Sequence, residues 1–349
     1  LTKLDNAPEV ISLAAALNLD PRTGAVRQII EHCRKRIDGW VSDNGGVNSL
    51  AELERVVCKK LNLVFEEIRS DSELVEVSQK YIAMGEGAFA SLAFQLDAGT
   101  FATLMERHNV KAGSVDRYVA VIDCRGQKAA RRFFTRWHEI SHLLTLVRQL
   151  ELPFHRSTKD QNPVERLMDV IAGEVAFYEP LFMPVLNDQL GKEKRLTFLG
   201  VDRLRDAICP EASFQATLIA AVKRTPLPVI QLEAQLAYKK AETSALRSGQ
   251  MSMFPGSTPA AKLRAVRAVS NEAATQVGFR IHPNMQIPSG SIIAKHYEET
   301  DALATLADAS GTEDFAMWRP SDGKPLGFGQ IDVQARHHLG TMFALIQRA

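Results

Sequence analysis

The stretch RRFFTRWHEISHLLTL, residues 131–146, decides how the rest of the chain is read. His138 and His142 stand four apart with Glu139 between them. Around them Phe133, Phe134, Trp137, Ile140, Leu143 and Leu144 recur at helical steps. On an α-helix, residues four apart differ by about 40° in direction and about 6 Å in rise, so the two imidazoles can converge on one cation. Glu139 is turned away by about 100°, too far to be a ligand on the same face and close enough to serve the cation's open position. The H-E-x-x-H spacing therefore predicts a tetrahedral zinc held by His138 and His142, with Glu139 as general base. An ionised Glu139 among apolar neighbours would be costly without a partner, which argues against two ordinary core histidines.

A third protein ligand must come from elsewhere. Thr145 and Arg148 occupy the positions where an extended motif carries Gly and His. The downstream candidates are His155, Glu165, Asp169 and Glu174. Asn162 and Pro163 make a good N-cap and first position for a helix reaching about residue 177, so Glu165 has a second reading as a capping-box glutamate. Glu174 lies half a turn around that helix from Glu165, so the two cannot both face the metal. His155 is placed either to steady an oxyanion or to be an exposed loop histidine.

The whole chain sets the frame. At 349 residues it is long for one hydrophobic core, and two domains are expected. It is 45% hydrophobic and 24% charged with a formal net charge of +1, which gives no overall reason to expect nucleic acid or membrane as partner. The basic runs HCRKR (32–36) and KLRAVR (262–267) read as solvated helix faces, with a contact surface as the other reading. Four cysteines, Cys33, Cys58, Cys124 and Cys209, are scattered without a CxxC pair, which suits a reducing cytoplasm. The first ten residues carry no basic-then-apolar signal pattern, and no apolar run approaches the ~20 residues of a membrane span.

Along the chain, GAVRQIIEHCRKRIDGW (24–40) and SLAELERVVCKKLN (49–62) read as helices, the second with a Ser49–Glu52 capping box. LNLVFEEI (61–68), FASLAFQL (89–96) and RYVAVIDC (117–124) read as strands, and residues 128–150 as one long helix. Residues 201–226 give one or two further helices. LPVIQLEAQLAYK (227–239) and FRIHPNMQI (279–287) read as strands, 242–260 as an exposed loop, and 315–336 as a hairpin around Ser321, Asp322 and Gly323. The fold class is α+β, with a change of texture near 205–225.

RRFFTRWHEISHLL followed by VERLMDVIAGEVAF resembles the ImmA/IrrE family of bacterial metallopeptidases, whose motif runs R-x-F-T-x-A-H-E-x-x-H and then E-x-x-(A/C)-(N/D)-x-x-A-x-E-L. The likeness covers about residues 50 to 190 and is specific in these two segments. It implies zinc ligands at His138, His142 and Glu165, the base at Glu139, and a structural role for Asp169. Trp137 replaces the usual Ala, and AFYEPLFMP is longer than the usual ending, which alters the cleft and leaves the ligands in place. The resemblance also implies a zincin-like metallopeptidase domain over 1–210 and a GAF-like sensor domain over 211–349.

By the same resemblance the activity is a zinc endopeptidase that cuts a helix-turn-helix repressor on a stress, DNA-damage or phage signal, with DNA or a small molecule as activator. The rival readings are a catalytically silent sensor and a nucleic-acid-binding regulator with a structural zinc. One more candidate follows from strand alternation, which puts Tyr118, Ala120, Ile122 and Cys124 on one face. In such folds the strand before the H-E-x-x-H helix lines the cleft. Cys124 at its end is then either an inhibitory zinc ligand or a small packing residue.

Overall fold

The computed structural model describes residues 2–110, 116–146, 154–157 (as backbone), 162–239, 242–244, 260–299, 307–319 and 329–348. The elements follow in the order α1 (Thr2–Asp5), α2 (Pro8–Ala16), α3 (Ala25–Asp43), α4 (Leu50–Leu61), β1 (Leu63–Ile68), α5 (Asp71–Ala83), α6 (Leu92–Gln95), β2 (Thr100–Glu106), β3 (Tyr118–Asp123) and α7 (Arg132–Leu144). Then come β4 (Phe154–Ser157), α8 (Pro163–Val175), α9 (Glu179–Glu193), α10 (Phe198–Ile208), α11 (Phe214–Arg224), β5 (Val229–Ala237) and β6 (Lys262–Ser270). The chain ends with α12 (Glu272–Gln276), α13 (Ile292–Glu299), β7 (Ala309–Asp314), β8 (Gln330–His338) and β9 (Thr341–Arg348). The class is α+β, with two separate sheets. The chain forms two compact units, one of residues 1–182 and 205–216, the other of 183–204 and 217–349.

In the first unit a four-stranded sheet has the order β1-β3-β2-β4, with β1 parallel to β3 and the other pairs antiparallel. Val119 and Val121 of β3 pack with Ile68, Met105, Leu74, Tyr81 and Phe89 on one face. Alternation turns Ala120 and Ile122 the other way, and α7 packs against β3 and β2. Both faces of β3 are thus covered, and its residues from Val119 to Asp123 are buried.

Local rules account for several boundaries. Ser49 Oγ accepts the Glu52 N–H (3.1 Å), and Glu52 reaches back to the Asn48 N–H (2.9 Å), one residue beyond the usual box partner. Ser70 and Glu73 repeat the device at the start of α5. FASLAFQL is helical and not a strand. Phe89, Leu92 and Leu96, spaced three and four apart, are the buried set, while Phe94 is 88% exposed. The helix expected over 128–150 is preceded by a 3-10 turn over Gly126–Arg131 and ends at Leu144; residues 147–150 lie outside the described residues.

HCRKR lies in α3 and is engaged within the unit. Arg34 pairs with Glu174 (2.7 Å) and Glu179 (2.8 Å), and Arg36 donates to the Leu144 carbonyl at the end of α7.

The second unit has an antiparallel sheet of order β6-β5-β9-β8-β7. Alternate residues form one core face: Ile230 and Leu232 of β5, Ile331 and Val333 of β8, Ala344 and Ile346 of β9. Ile293 of α13, Phe279, Phe315 and Trp318 cover it. Residues 183–204 belong to this unit for a visible reason. Gln347 on β9 exchanges two hydrogen bonds with the Leu196 backbone (2.9 and 2.7 Å), and Arg336 on β8 pairs with Asp202 (2.6 Å).

KLRAVR is part of the edge strand β6, not a helix face. FRIHPNMQI is broken by a turn rather than extended. Met285 N–H bonds the His282 carbonyl (3.2 Å), with Pro283 second and Asn284 third at φ +68°, the geometry of a type II turn. Ser321, Asp322 and Gly323 lie outside the described residues, as do most of 242–260; β7 and β8 do pair antiparallel.

Candidate metal centre

Two helices, each presenting residues four apart, build the site. On α7 these are His138 and His142; on α8 they are Glu165 and Asp169. α8 starts where its cap dictates: Asn162 Oδ1 accepts the Val164 N–H (2.8 Å), and Pro163 needs no intrahelical acceptor at its first position. At the other end of the pair, Thr145 Oγ1 donates to the Ser141 carbonyl (2.9 Å) and closes the C-terminal turn of α7. Ahead of α7, buried Asp123 holds Arg125 (2.8 Å) and Lys128 (2.6 Å). Lys128 also donates to the carbonyls of Asp97 (2.7 Å) and Thr100 (2.8 Å), so the β3–α7 junction is tied to the start of β2.

Glu165 Oε2 lies 3.0 Å from His138 Nε2, Glu165 Oε1 lies 3.4 Å from His142 Nε2, and the two Nε2 atoms are 3.2 Å apart. Among the described residues these three side chains form a group whose ligand atoms all lie within 4.8 Å of one another. Tetrahedral bonds of about 2.1 Å put neighbouring donors about 3.4 Å apart. The observed separations of 3.0–3.4 Å are those of three corners around one ion.

The donor chemistry agrees. Asp169 Oδ1 is 2.9 Å from His138 Nδ1. A carboxylate there accepts a hydrogen bond from Nδ1–H and keeps the proton on that nitrogen, which leaves Nε2 of the neutral ring as a lone pair aimed at Glu165 and His142. A cation reconciles three such donors at close range. Burial opposes ionisation of Glu165, but in the metal-free site, where the facing imidazole nitrogens can carry protons, the two histidines outweigh that and hold its carboxyl well below the usual carboxylate range. His138 and His142 are buried, Glu165 is 13% exposed and Asp169 51%, so the centre opens toward solvent on its α8 side. The three residues fit a metal ion.

The other sequence candidates are placed as follows. Glu139 is fully buried within the same turn of α7. Glu174 lies on α8 but pairs with Arg34, away from the imidazoles. His155 stands opposite Thr103 in the β4–β2 register, and its side chain lies outside the described residues.

Cys124 is not one of the clustered donors. Its backbone N–H bonds the Ile68 carbonyl (2.7 Å), and burial followed by the Glu67 charge pushes its thiol pKa up, against thiolate formation. Arg132, another of its charged neighbours, precedes His138 by about 9 Å along the helix axis.

Asp169, a candidate ligand by position and a structural residue by the resemblance, lies directly behind the His138 ring. Its four-residue step from Glu165, matching the step between the histidines, is the signal that could have shown it. Compared with known protein families and with curated proteins, the chain matches no family model and no curated sequence.

Proposed function

We propose that this protein is a zinc-dependent endopeptidase. The single observation that carries the reading is the three-donor group of His138, His142 and Glu165 with separations of 3.0–3.4 Å, next to a buried Glu139 on the same helix. Two imidazoles and one carboxylate are a donor set that suits zinc and, with three protein ligands, leaves a fourth position for catalysis. Bound there, zinc would acidify a water and polarise a scissile carbonyl. His138, His142 and Glu165 hold the ion, and Asp169 keeps the His138 ring in the tautomer that can do so. Glu139 accepts a proton at its carboxylate and later gives it to the leaving amine.

The resemblance of the α7 and α8 segments to ImmA/IrrE peptidases supports a helix-turn-helix repressor as substrate, a cytoplasmic setting and a sensing role for the second unit. Among the described residues no helix is long and apolar enough to cross a membrane, which is compatible with that setting. The test is incubation of the full chain with a helix-turn-helix repressor encoded beside it, with and without chelator, and mass spectrometry of the products. One chelator-sensitive cut, absent with Glu139→Gln, is expected. A Glu139→Gln protein that still relieves repression in cells would instead indicate a binder that does not cut.

A further inference from the structure

The second unit contains a cavity of about 430 Å³ whose polar lining is strongly one-sided. Lys239, Arg264, Arg319 and His282 face it, and among the described residues no carboxylate lines it. Arg264 is the unusual member. It is only 4% exposed, and among the described residues no carboxylate pairs with it. Its Nε donates to the Ala237 carbonyl (3.1 Å) and its Nη1 to the Asn284 carbonyl (3.1 Å). Those two bonds use two of five N–H donors and fix the plane of the guanidinium without neutralising it. By contrast, half-buried Arg336 in the same unit is matched by Asp308 (2.7 Å) and Asp202 (2.6 Å). A buried cation lacking a counter-charge is costly unless something supplies one.

The wall of the cavity is built, not incidental. The turn at Pro283 and Asn284 brings the Asn284 carbonyl onto Arg264, and the Ala265 backbone clasps the same loop through Asn284 N–H (2.7 Å) and the Met285 carbonyl (2.9 Å). Met285 and Pro283 add apolar surface beside the charges. Glu242 engages the Lys239 backbone N–H (2.6 Å) and does not line the cavity. The volume lies within the ordinary range for small-molecule sites, about 300–1,000 Å³.

From the want of a counter-charge at Arg264 among the described residues, the three positive charges and the volume, we infer that this cavity binds a small molecule bearing a phosphomonoester. A dianionic phosphate answers several cations at once, and a pre-oriented guanidinium matches its geometry bidentately. The inference uses none of the residues of the metal centre and stands or falls apart from it.

Isothermal titration of the full chain with inorganic phosphate and with ribose 5-phosphate tests it, with ribose as the neutral control. Both phosphates should bind and ribose should not, and affinity should fall as sodium chloride is raised. Lys239 and Arg319 are exposed, so Lys239→Gln and Arg319→Gln leave the fold intact; each should weaken binding by about tenfold. Arg264→Gln should abolish binding, and if circular dichroism shows it unfolded the two surface variants carry the test. Three results would overturn the inference: no heat from either phosphate at millimolar concentration, unchanged affinity in the Lys239→Gln/Arg319→Gln double variant, or ribose binding as well as its phosphate. A hydroxyl-ended single-stranded oligonucleotide that binds where both phosphates fail would overturn it too.

Discussion

Replacing Asp169 by alanine should weaken metal binding without removing a ligand. The carboxylate sits 2.9 Å from His138 Nδ1 and is not one of the clustered donors. Carboxylates behind metal-bound histidines contribute roughly 10- to 100-fold in affinity. Asp169 is half exposed, so water partly replaces it in the variant, and the lower end applies. The expected loss is about tenfold, or about 1.4 kcal/mol. Competition against a chromophoric chelator of known zinc affinity measures it, with a thermal melt confirming that the fold is retained.

Asp169→Asn should fall between wild type and alanine, because an amide oxygen still accepts from Nδ1 but carries no charge. His138→Ala, which deletes a donor, should lose far more. Wild-type affinity in Asp169→Ala would refute the orienting role. A loss equal to that of His138→Ala would refute it differently, by making Asp169 a ligand.

Other substitutions separate the remaining roles. Glu165→Gln should carry clearly less zinc by metal analysis, whereas Glu174→Ala should carry the wild-type amount, since Glu174 is engaged with Arg34. Glu139→Gln should keep its zinc and lose cleavage by about 10²–10⁴-fold, measured on the repressor substrate. Cys124→Ala should retain both zinc and basal cleavage and lose about 1 kcal/mol or less in urea unfolding; raised basal cleavage would revive the inhibitory thiol. Asp123→Asn should destabilise the first unit by about 3 kcal/mol, because Arg125 and Lys128 lose their buried counter-charge. Burial works to raise the Asp123 pKa, but those cations hold it below the usual value. Its contribution is therefore full above the unfolded value of about 3.9 and is lost as pH falls through the lower folded value. Urea midpoints between about pH 6 and pH 2 should fall more steeply in wild type than in Asp123→Asn.

Much of this was legible in local pattern. His138 and His142 share a face because four residues nearly close a helical turn, whatever surrounds them. Asn162 and Pro163 start α8, and Ser49 starts α4, through bonds made within three residues. β1, β3 and β5 were readable from their β-branched and aromatic content.

Other features depended on contacts far apart in sequence. FASLAFQL satisfies two periodicities at once, and only the core around Phe89, Leu92 and Tyr81 selects the helical one. Spacing left His155, Glu165, Asp169 and Glu174 open as third ligand. The docking of α8 on α7 aims Glu165 at both imidazoles and Asp169 at the back of one, while Arg34 draws Glu174 elsewhere. The single cut expected at 210 became a discontinuous division, with residues 183–204 grouped with the second unit and 205–216 with the first. The cation of Arg264 looked like one of a solvated basic run until β6 took its edge position and the turn at Asn284 closed over it. A helix repeats every 3.6 residues by its own bonds, so its faces are written locally; which residue on a face meets a partner is set by packing, which no local pattern contains.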